Sequence, residues 1–296
     1  MKLLTAKLRT DGLRPVCFSV IILLTKARYR TKDVMKRKAV FFDIDGTLRN
    51  WEHTVPDDTV RAVRELRAGG HLAFINSGRS QAFISEPRLL SMGWDGFVSG
   101  CGTYVQVGQR VVRDRLIAPA ELARAVSLAR EHSVRIILEG RFCLYFDDDQ
   151  FADDKYGRML IRELGSRRKT ISDNYMRWRS GKFSVDMDDP AEGEKWLAIM
   201  SEKYSCIRHN ETVVELVPRG FGKADGMLEV CSFLGIDPAD CVVFGDGNND
   251  LDMFRAAGTA VAMEDAPESV KDSADLVTSG PLDGGIDRAL RRLGLI

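Results

Sequence analysis

The amino-acid sequence lacks the features of several protein classes. Its 43 basic and 43 acidic residues cancel, so no net positive charge favours a nucleic acid as partner. Its four histidines show no metal-ligand spacing, and its six cysteines include no Cys-x-x-Cys pair, which fits reduced thiols in the cytoplasm. It contains neither internal repeats nor a low-complexity segment. What remains is a globular chain of 296 residues, 44% of them hydrophobic, long enough for one large or two moderate domains.

The beginning of the chain contains no apolar segment long enough to cross a membrane. Residues 16–24 are apolar and follow basic residues, as in a secretory signal, but the run is short and Pro15 stands at its edge. Basic residues follow it instead of a small-residue cleavage site. Met35 stands just before the first predicted strand, as a natural start would. Residues 1–34 are therefore predicted to be a disordered tail or a translated upstream extension.

A short apolar strand that ends in two acids carries the strongest chemical signal. Residues 39–42 (Ala-Val-Phe-Phe) are typical of a strand buried on both faces of a parallel sheet. Asp43 and Asp45 follow this strand, and their side chains are expected on the same side because side chains alternate along an extended chain. Two such carboxylates repel each other unless a cation lies between them, and Mg²⁺ is the simplest choice. Gly46 permits a sharp turn that brings N–H groups to an anion, and Thr47 adds a hydroxyl donor.

Strands and helices alternate through the first hundred residues. Residues 56–70 predict an amphipathic helix, and residues 72–75 and 96–98 predict two more strands. This order is typical of parallel strands joined by right-handed crossovers, so it predicts an α/β fold. Ligands of such sheets bind beyond the carboxyl ends of the strands, where Ser77 follows the second strand as Asp43 follows the first.

The pattern changes after residue 102. Short antiparallel strands mixed with helices predict an α+β domain inserted into the α/β domain. The helices predicted within the insert are residues 119–132, 153–164 and 190–204. We therefore predict that the core comprises residues 35–101 and 219–296, and that the insert comprises residues 102–218.

The α/β pattern resumes with a helix that begins at Lys223. A strand over residues 241–244 then runs into Gly-Asp-Gly-Asn-Asn-Asp at residues 245–250. A lone lysine at a helix start is usually solvated, and a lone Gly-Asp-Gly is usually a turn. Their positions at element ends, in order with Asp43 and Ser77, favour one shared site over these separate explanations.

These segments together resemble the haloacid dehalogenase superfamily of phosphohydrolases, and within it the Cof-type subclass with a large cap, class IIB. The resemblance runs from residue 35 to residue 296 and includes residues 41–48, 77–79, 182–186, 245–250, 261–263 and 271–275. The interval between Asp45 and Ser77 is too short for a cap, whereas the one between Ser77 and Lys223 is long. The resemblance implies a doubly wound, Rossmann-like parallel sheet as the core, with an inserted α+β cap.

The resemblance also implies roles for the acids. Asp43 is the expected nucleophile, which forms an aspartyl-phosphate, and Asp45 is the expected general acid and base. Mg²⁺ is expected to bind the carboxylates of Asp43 and Asp246 and the backbone carbonyl of Asp45.

The remaining site residues are expected to hold the phosphate. Ser77 and Lys223 are counted with the two acids as catalytic groups. The expected phosphate ligands are Ile44 and Gly78 through their N–H groups, and Ser77, Lys223 and Asn249 through their side chains. Asp250 and Thr47 are expected to contact these groups and to hold them in position.

Four positions depart from the family pattern. Ser77 stands where threonine is usual, which keeps the hydroxyl donor. Cys101 stands at the predicted cap entrance, where asparagine is common. Glu264 and Asp265 replace a Gly-Asn pair, and their charge is expected to disfavour very acidic substrates.

The sequence thus predicts a Mg²⁺-dependent phosphatase of a small phosphorylated metabolite, either a sugar phosphate or a cofactor-like phosphate. A phosphosugar mutase on the same core and a non-catalytic phosphometabolite-binding protein are the alternatives. The acidic run at residues 147–149 predicts a solvated loop in preference to a second metal site.

Overall fold

The computed structural model of the protein describes residues 37–151 and 155–296, so the predicted leader at residues 1–34 lies outside the described part. The strands of this part are β1 (Ala39–Phe42), β2 (Leu72–Asn76), β3 (Gly96–Ser99), β4 (Tyr104–Val107), β5 (Arg110–Asp114), β6 (Val134–Glu139), β7 (Leu144–Tyr145), β8 (Arg168–Lys169), β9 (Lys182–Met187), β10 (Tyr204–Arg208), β11 (Val213–Pro218), β12 (Cys241–Gly245), β13 (Thr259–Met263) and β14 (Leu276–Thr278). The α-helices are α1 (Asp57–Ala68), α2 (Pro87–Leu90), α3 (Pro119–Glu131), α4 (Lys155–Leu164), α5 (Pro190–Met200), α6 (Lys223–Leu234), α7 (Leu251–Ala256), α8 (Glu268–Lys271) and α9 (Gly285–Arg292).

The first sheet has eight strands in the order β14-β13-β12-β1-β2-β3-β4-β5. The strands from β14 to β3 are parallel, and β4 and β5 add an antiparallel hairpin at one edge. Phe42 is in register with Ile75 on β2 and Phe244 on β12, so the carboxyl ends of these three strands lie side by side. The predicted α/β fold with a parallel core sheet is confirmed.

Alternate residues of β1 enter two separate apolar cores. Val40 and Phe42 pack with residues of α1 and α9, whereas Ala39 and Phe41 pack with residues of α6 and α7. The ring of Phe42 also stacks on that of Phe244, with centroids 4.9 Å apart. Burying each large apolar side chain contributes roughly 1.5–3 kcal/mol, so helices on both faces fix the central strand firmly.

The second sheet has six strands in the order β10-β11-β9-β6-β7-β8. Helices α3 and α5 cover one face, where Trp196 and Phe183 are buried in a common apolar core. Glu139, Lys182 and Glu215 lie on strands of this sheet and line a cavity together with residues of the segments that follow β1 and β2. Both sheets belong to one compact unit, Arg37–Ile296. None of the helices within the described ranges has the length and apolar character needed to span a bilayer.

Three elements differ from the predicted ones. The strands β4 and β5 were expected in the insert, but Tyr104 pairs with Ser99, so this hairpin extends the first sheet. The residue pattern of an antiparallel hairpin is the same on either sheet, which is why the sequence does not distinguish them. The helix predicted for residues 190–204 ends at Met200, because Tyr204 pairs with Pro218 on β11. The domain bounds themselves stay a prediction.

Candidate active site

Four segments bring polar groups to the carboxyl edge of the first sheet. Asp43 follows β1, Ser77 follows β2 and Asp246 follows β12, while Lys223 is the first residue of α6. The backbone N–H of Asp43 donates to the Phe244 carbonyl at 3.0 Å, which continues the sheet one residue beyond the strand. The side chains predicted from distant parts of the sequence therefore meet at one place.

Lys223 is the buried cation of the site. Its side-chain Nζ lies 2.8 Å from Asp43 Oδ1 and 2.5 Å from Asp250 Oδ1. The residue is 1% exposed, and burial alone would lower its pKa, but Asp250 and Asp43 together raise the pKa above its usual value. A buried charge is tolerated only when it is paired, so this lysine is held by its two acids. It also lies at a helix N-terminus, where the helix dipole disfavours a cation and the two carboxylates compensate.

Asp250 joins Lys223 to the loop that carries Asp246. Its Oδ1 contacts the lysine, and its Oδ2 accepts hydrogen bonds from the N–H groups of Asp246 at 3.0 Å and Gly247 at 2.9 Å. Both oxygens of this fully buried carboxylate are therefore used. Asp250 therefore holds the Lys223 side chain and the backbone of the Asp246 loop in place.

Three carboxylates form a candidate cation site. Ligand oxygens of Asp43, Asp246 and Asp250 all lie within 4.8 Å of one another. Burial raises the pKa of Asp43 to about 7, against the opposing charge of Lys223, and burial with the charge of Asp43 raises the pKa of Asp246 to about 8. Carboxylate oxygens suit a hard divalent ion. Since both oxygens of Asp250 are occupied, Asp43 and Asp246 are the two side chains that fit such an ion.

Gly46 is required by close packing against Asp246. It has φ +81°, and a Cβ at this position would overlap the Asp246 carboxylate. The neighbouring Thr47 donates its hydroxyl to Asp246 Oδ1 at 2.8 Å. The carbonyl of Ile44 accepts hydrogen bonds from the N–H groups of residues 47–49, and these bonds fix the turn. The Gly-Thr pair thus holds the Asp246 carboxylate against the turn that follows β1.

Asp45 is bound by two arginines. Arg49 Nε donates to its Oδ1 at 2.9 Å, and Arg79 Nη2 donates to the same oxygen at 3.1 Å. Burial opposes ionisation, but Arg79 and Arg49 hold the pKa of Asp45 below its usual value. The sequence analysis gave neither arginine a role. The sequence contained a clue to both arginines, because Arg49 lies four residues after Asp45 and Arg79 belongs to the Ser-Gly-Arg motif.

A cavity of about 390 Å³ opens onto these groups. Of the predicted site residues, Asp43, Asp45, Ser77, Gly78, Asp246 and Asn249 line it. Lys223 and Thr47 support this lining, since both contact its acids and are themselves buried. The side chain of Ile44 is buried in the apolar core, so only its backbone can contribute.

The second sheet closes the other side of this cavity. Arg208, His209 and Glu215 from β10, β11 and the turn between them belong to its lining. A second cavity, of about 470 Å³, shares Asp45, Trp51, Arg79, His209 and Glu215 with the first. The sequence analysis missed these residues of the second sheet, because no motif marks them.

Comparison with known proteins agrees with this arrangement. A profile of the haloacid dehalogenase-like hydrolases matches residues 40–290. The chain is 31% identical to the Bacillus subtilis protein named Putative phosphatase YkrA, over 88% of this chain and 100% of that protein. It is 28% identical to a Streptococcus pyogenes protein named as a bifunctional phosphatase/peptidyl-prolyl cis-trans isomerase, over 92% of this chain but only 56% of that longer protein.

A solved structure has a similar fold. It is described as the subclass IIB sugar phosphatase BT4131 of the same superfamily. Its chain is 26% identical and matches with a TM-score of 0.73, over 88% of this chain and 100% of that one.

Proposed function

The chain belongs to the haloacid dehalogenase-like hydrolase family, as the resemblance predicted, and we propose that it is a Mg²⁺-dependent phosphatase of a small phosphorylated metabolite. The family makes it a phosphoric monoester hydrolase. The contact of Lys223 with Asp43 carries the proposal, because it sets a buried cation against a carboxylate at the end of the central strand. Phosphate monoesters need this combination of a nucleophile and fixed positive charge.

Asp43 is the proposed nucleophile. Lys223 holds one of its carboxylate oxygens, and an oxygen of this group attacks phosphorus, so that the bond to the leaving group breaks and an aspartyl-phosphate forms. The N–H groups of Ile44 and Gly78 and the hydroxyl of Ser77 would hold the phosphoryl oxygens. Water then attacks the phosphorus of this intermediate, which releases inorganic phosphate and restores Asp43.

Asp45 is the proposed proton carrier. It would protonate the departing alkoxide and later take a proton from the attacking water. Arg49 and Arg79 keep it ionised, so one of these contacts has to open before Asp45 can carry a proton.

A magnesium ion fits the donor set at the same place. The carboxylates of Asp43 and Asp246, with the backbone carbonyl of Asp45, would hold the ion, and the bound ion would neutralise the repulsion between acids and phosphate. Asn249 lines the same cavity and would orient the phosphate.

Phosphate release from a panel of phosphorylated metabolites, with and without Mg²⁺, tests the proposal. We expect magnesium-dependent release of free phosphate, and a loss of at least about a thousandfold in Asp43→Asn. Asp272→Asn, at an exposed position outside the site, is the matched control and should keep full activity. An isomerised phosphosugar as product would instead indicate a mutase. Binding without turnover would indicate a non-catalytic protein, and an active Asp43→Asn would contradict the nucleophile.

A further inference from the structure

Glu215 on β11 reaches across from the second sheet to the predicted phosphate loop. A Cβ placed on Gly78 would lie 3.2 Å from Glu215 Oε2, so the carboxylate sits directly against the backbone of that loop. The Cys101 thiol donates to the same oxygen at 3.5 Å. Glu215 also lines both cavities, which places it at their junction. A leaving group attached to a phosphate on this loop has to pass beside it.

The carboxylate of Glu215 is ionised and fixed in place. Its Oε1 lies 2.9 Å from Lys182 Nζ and 3.3 Å from His209 Nε2. Burial opposes ionisation, but Lys182 and His209 hold the pKa of Glu215 well below its usual range. Lys182 is 1% exposed and also contacts Glu139 Oε1 at 3.1 Å, so its single charge is shared by two acids. Two carboxylates thus face Lys182 and His209, and these contacts fix the ionised carboxylate of Glu215 at the cavity wall.

The other basic side chains of the two linings are already paired. Arg79 contacts Asp45, Arg208 contacts Glu194 at 2.6 Å, and His53 Nδ1 lies 3.5 Å from Glu163 Oε1. On the acidic side, the same linings include Asp43, Asp45, Asp246 and Asp265 in addition to Glu215. Beside the phosphate loop, therefore, the described residues offer a hydrogen-bond acceptor with a negative charge. A second anionic group on a substrate would meet repulsion there.

We propose that Glu215 is a specificity-determining residue, which accepts a hydrogen bond from a hydroxyl of the leaving group and excludes leaving groups with an anionic substituent near the ester. The substrate class is then the phosphate monoesters of neutral polyols, sugars among them. Bisphosphates and phosphorylated carboxylic acids are poor substrates. This inference rests on the proposed phosphatase function and adds the residue that selects the leaving group.

Glycerol 3-phosphate and 3-phosphoglycerate form a matched pair of probes, because they differ only in a hydroxymethyl group against a carboxylate. Each is assayed by phosphate release and as a competitor of p-nitrophenyl phosphate hydrolysis. We expect the wild type to prefer glycerol 3-phosphate by at least about tenfold in kcat/KM, or in inhibition constant. Glu215→Gln should reduce this preference about tenfold or more, since it keeps the size of the side chain and removes its charge.

Two further variants separate charge from packing. Glu215→Asp keeps the charge and should retain most of the preference. Glu192→Gln, on α5 of the second sheet and outside both cavity linings, should behave as the wild type. Hydrolysis of p-nitrophenyl phosphate should stay within about threefold of the wild type in Glu192→Gln. In the two Glu215 variants this reaction serves as the reference against which the competition by each probe is measured.

The outcomes separate this inference from the proposed function. If the wild type does not hydrolyse p-nitrophenyl phosphate, or Asp43→Asn does so equally well, the phosphatase proposal fails. If that activity is present but the wild type does not discriminate between the two probes, the role of Glu215 is overturned. Failure of both probes to compete, or a preference that Glu215→Gln leaves unchanged, overturns it as well. The preference of the wild type is measured without any variant, so the inference can be refuted even if the Glu215 variants do not fold.

Discussion

Lys223 and Asp250 form an ion pair that has no contact with solvent, with Nζ and Oδ1 2.5 Å apart. The pair ties the start of α6 to the loop after β12, and the same lysine reaches Asp43 after β1. The geometry of the site is therefore fixed by charges that are also part of the buried structure.

Removing the cation should cost both stability and activity. Lys223→Met leaves two buried acids without their partner, so we expect the free energy of unfolding to fall by roughly 3–5 kcal/mol in urea titrations. Phosphate release should fall by more than about a hundredfold. Lys203→Met, which removes an exposed pair with Glu121 at 3.8 Å, is the control and should cost less than about 1 kcal/mol. Equal effects of the two variants would contradict the role given to burial.

The glycine turn after β1 can be tested against a second glycine of the same conformation. Gly46 has φ +81° and Gly220 has φ +82°, but only at Gly46 would a Cβ collide with Asp246. Both alanine variants should lose about 1–2 kcal/mol from backbone strain. Gly46→Ala should in addition lose nearly all magnesium-dependent activity, whereas Gly220→Ala should keep it. Loss of activity in both variants would assign the effect to backbone strain alone.

Magnesium should stabilise the folded protein through Asp246. At about 100 times its dissociation constant the ion adds about 2.7 kcal/mol, which raises the Tm by several degrees. EDTA should abolish this increase. Asp246→Asn should show no increase, whereas Asp272→Asn should respond as the wild type. Thermal unfolding reports binding without an activity assay, and an undiminished shift in Asp246→Asn would place the ion elsewhere.

Without the metal, stability should fall as the pH rises. The pKa of Asp246 is raised from 3.8 to about 8, so the folded state binds more protons than the unfolded state between these values. The stabilisation is then present at low pH and is lost as the pH rises through the folded value. In EDTA, the unfolding free energy of the wild type should decrease from pH 5 to 8 more steeply than that of Asp246→Asn. Parallel pH profiles would contradict the raised pKa.

Much of the core could be predicted from the sequence, because its signals are local. The apolar run before Asp43 predicts a buried strand, and the strand-helix order predicts parallel pairing, so the meeting of Asp43, Ser77 and Asp246 follows from topology alone. The burial of Lys223 does not follow from its neighbours, since a lysine at a helix start is usually solvated. It becomes visible only when the loop with Asp250 is placed beside it.

Long-range pairing accounts for what the sequence did not reveal. The partners of Asp45 depend on the path of the chain between Arg49 and Arg79. Glu215 lies in a strand whose residue pattern resembles any other antiparallel strand, and its position against Gly78 depends on how the second sheet meets the first. No sequence spacing predicts such contacts, so they can be identified only in the folded structure.

The double engagement of Asp250 makes this position unusually intolerant of change. One of its oxygens faces an ammonium group and the other faces two amide N–H groups, so all of its neighbours are donors. Asparagine, normally the mildest replacement for aspartate, would have to point its own NH₂ group at one of them whichever way the amide is turned. Glutamate would carry the same two acceptors one methylene further, so Lys223 and the two N–H groups would have to shift to meet them. Asp250 is therefore the position where we expect even the mildest replacements to disturb the loop that carries Asp246.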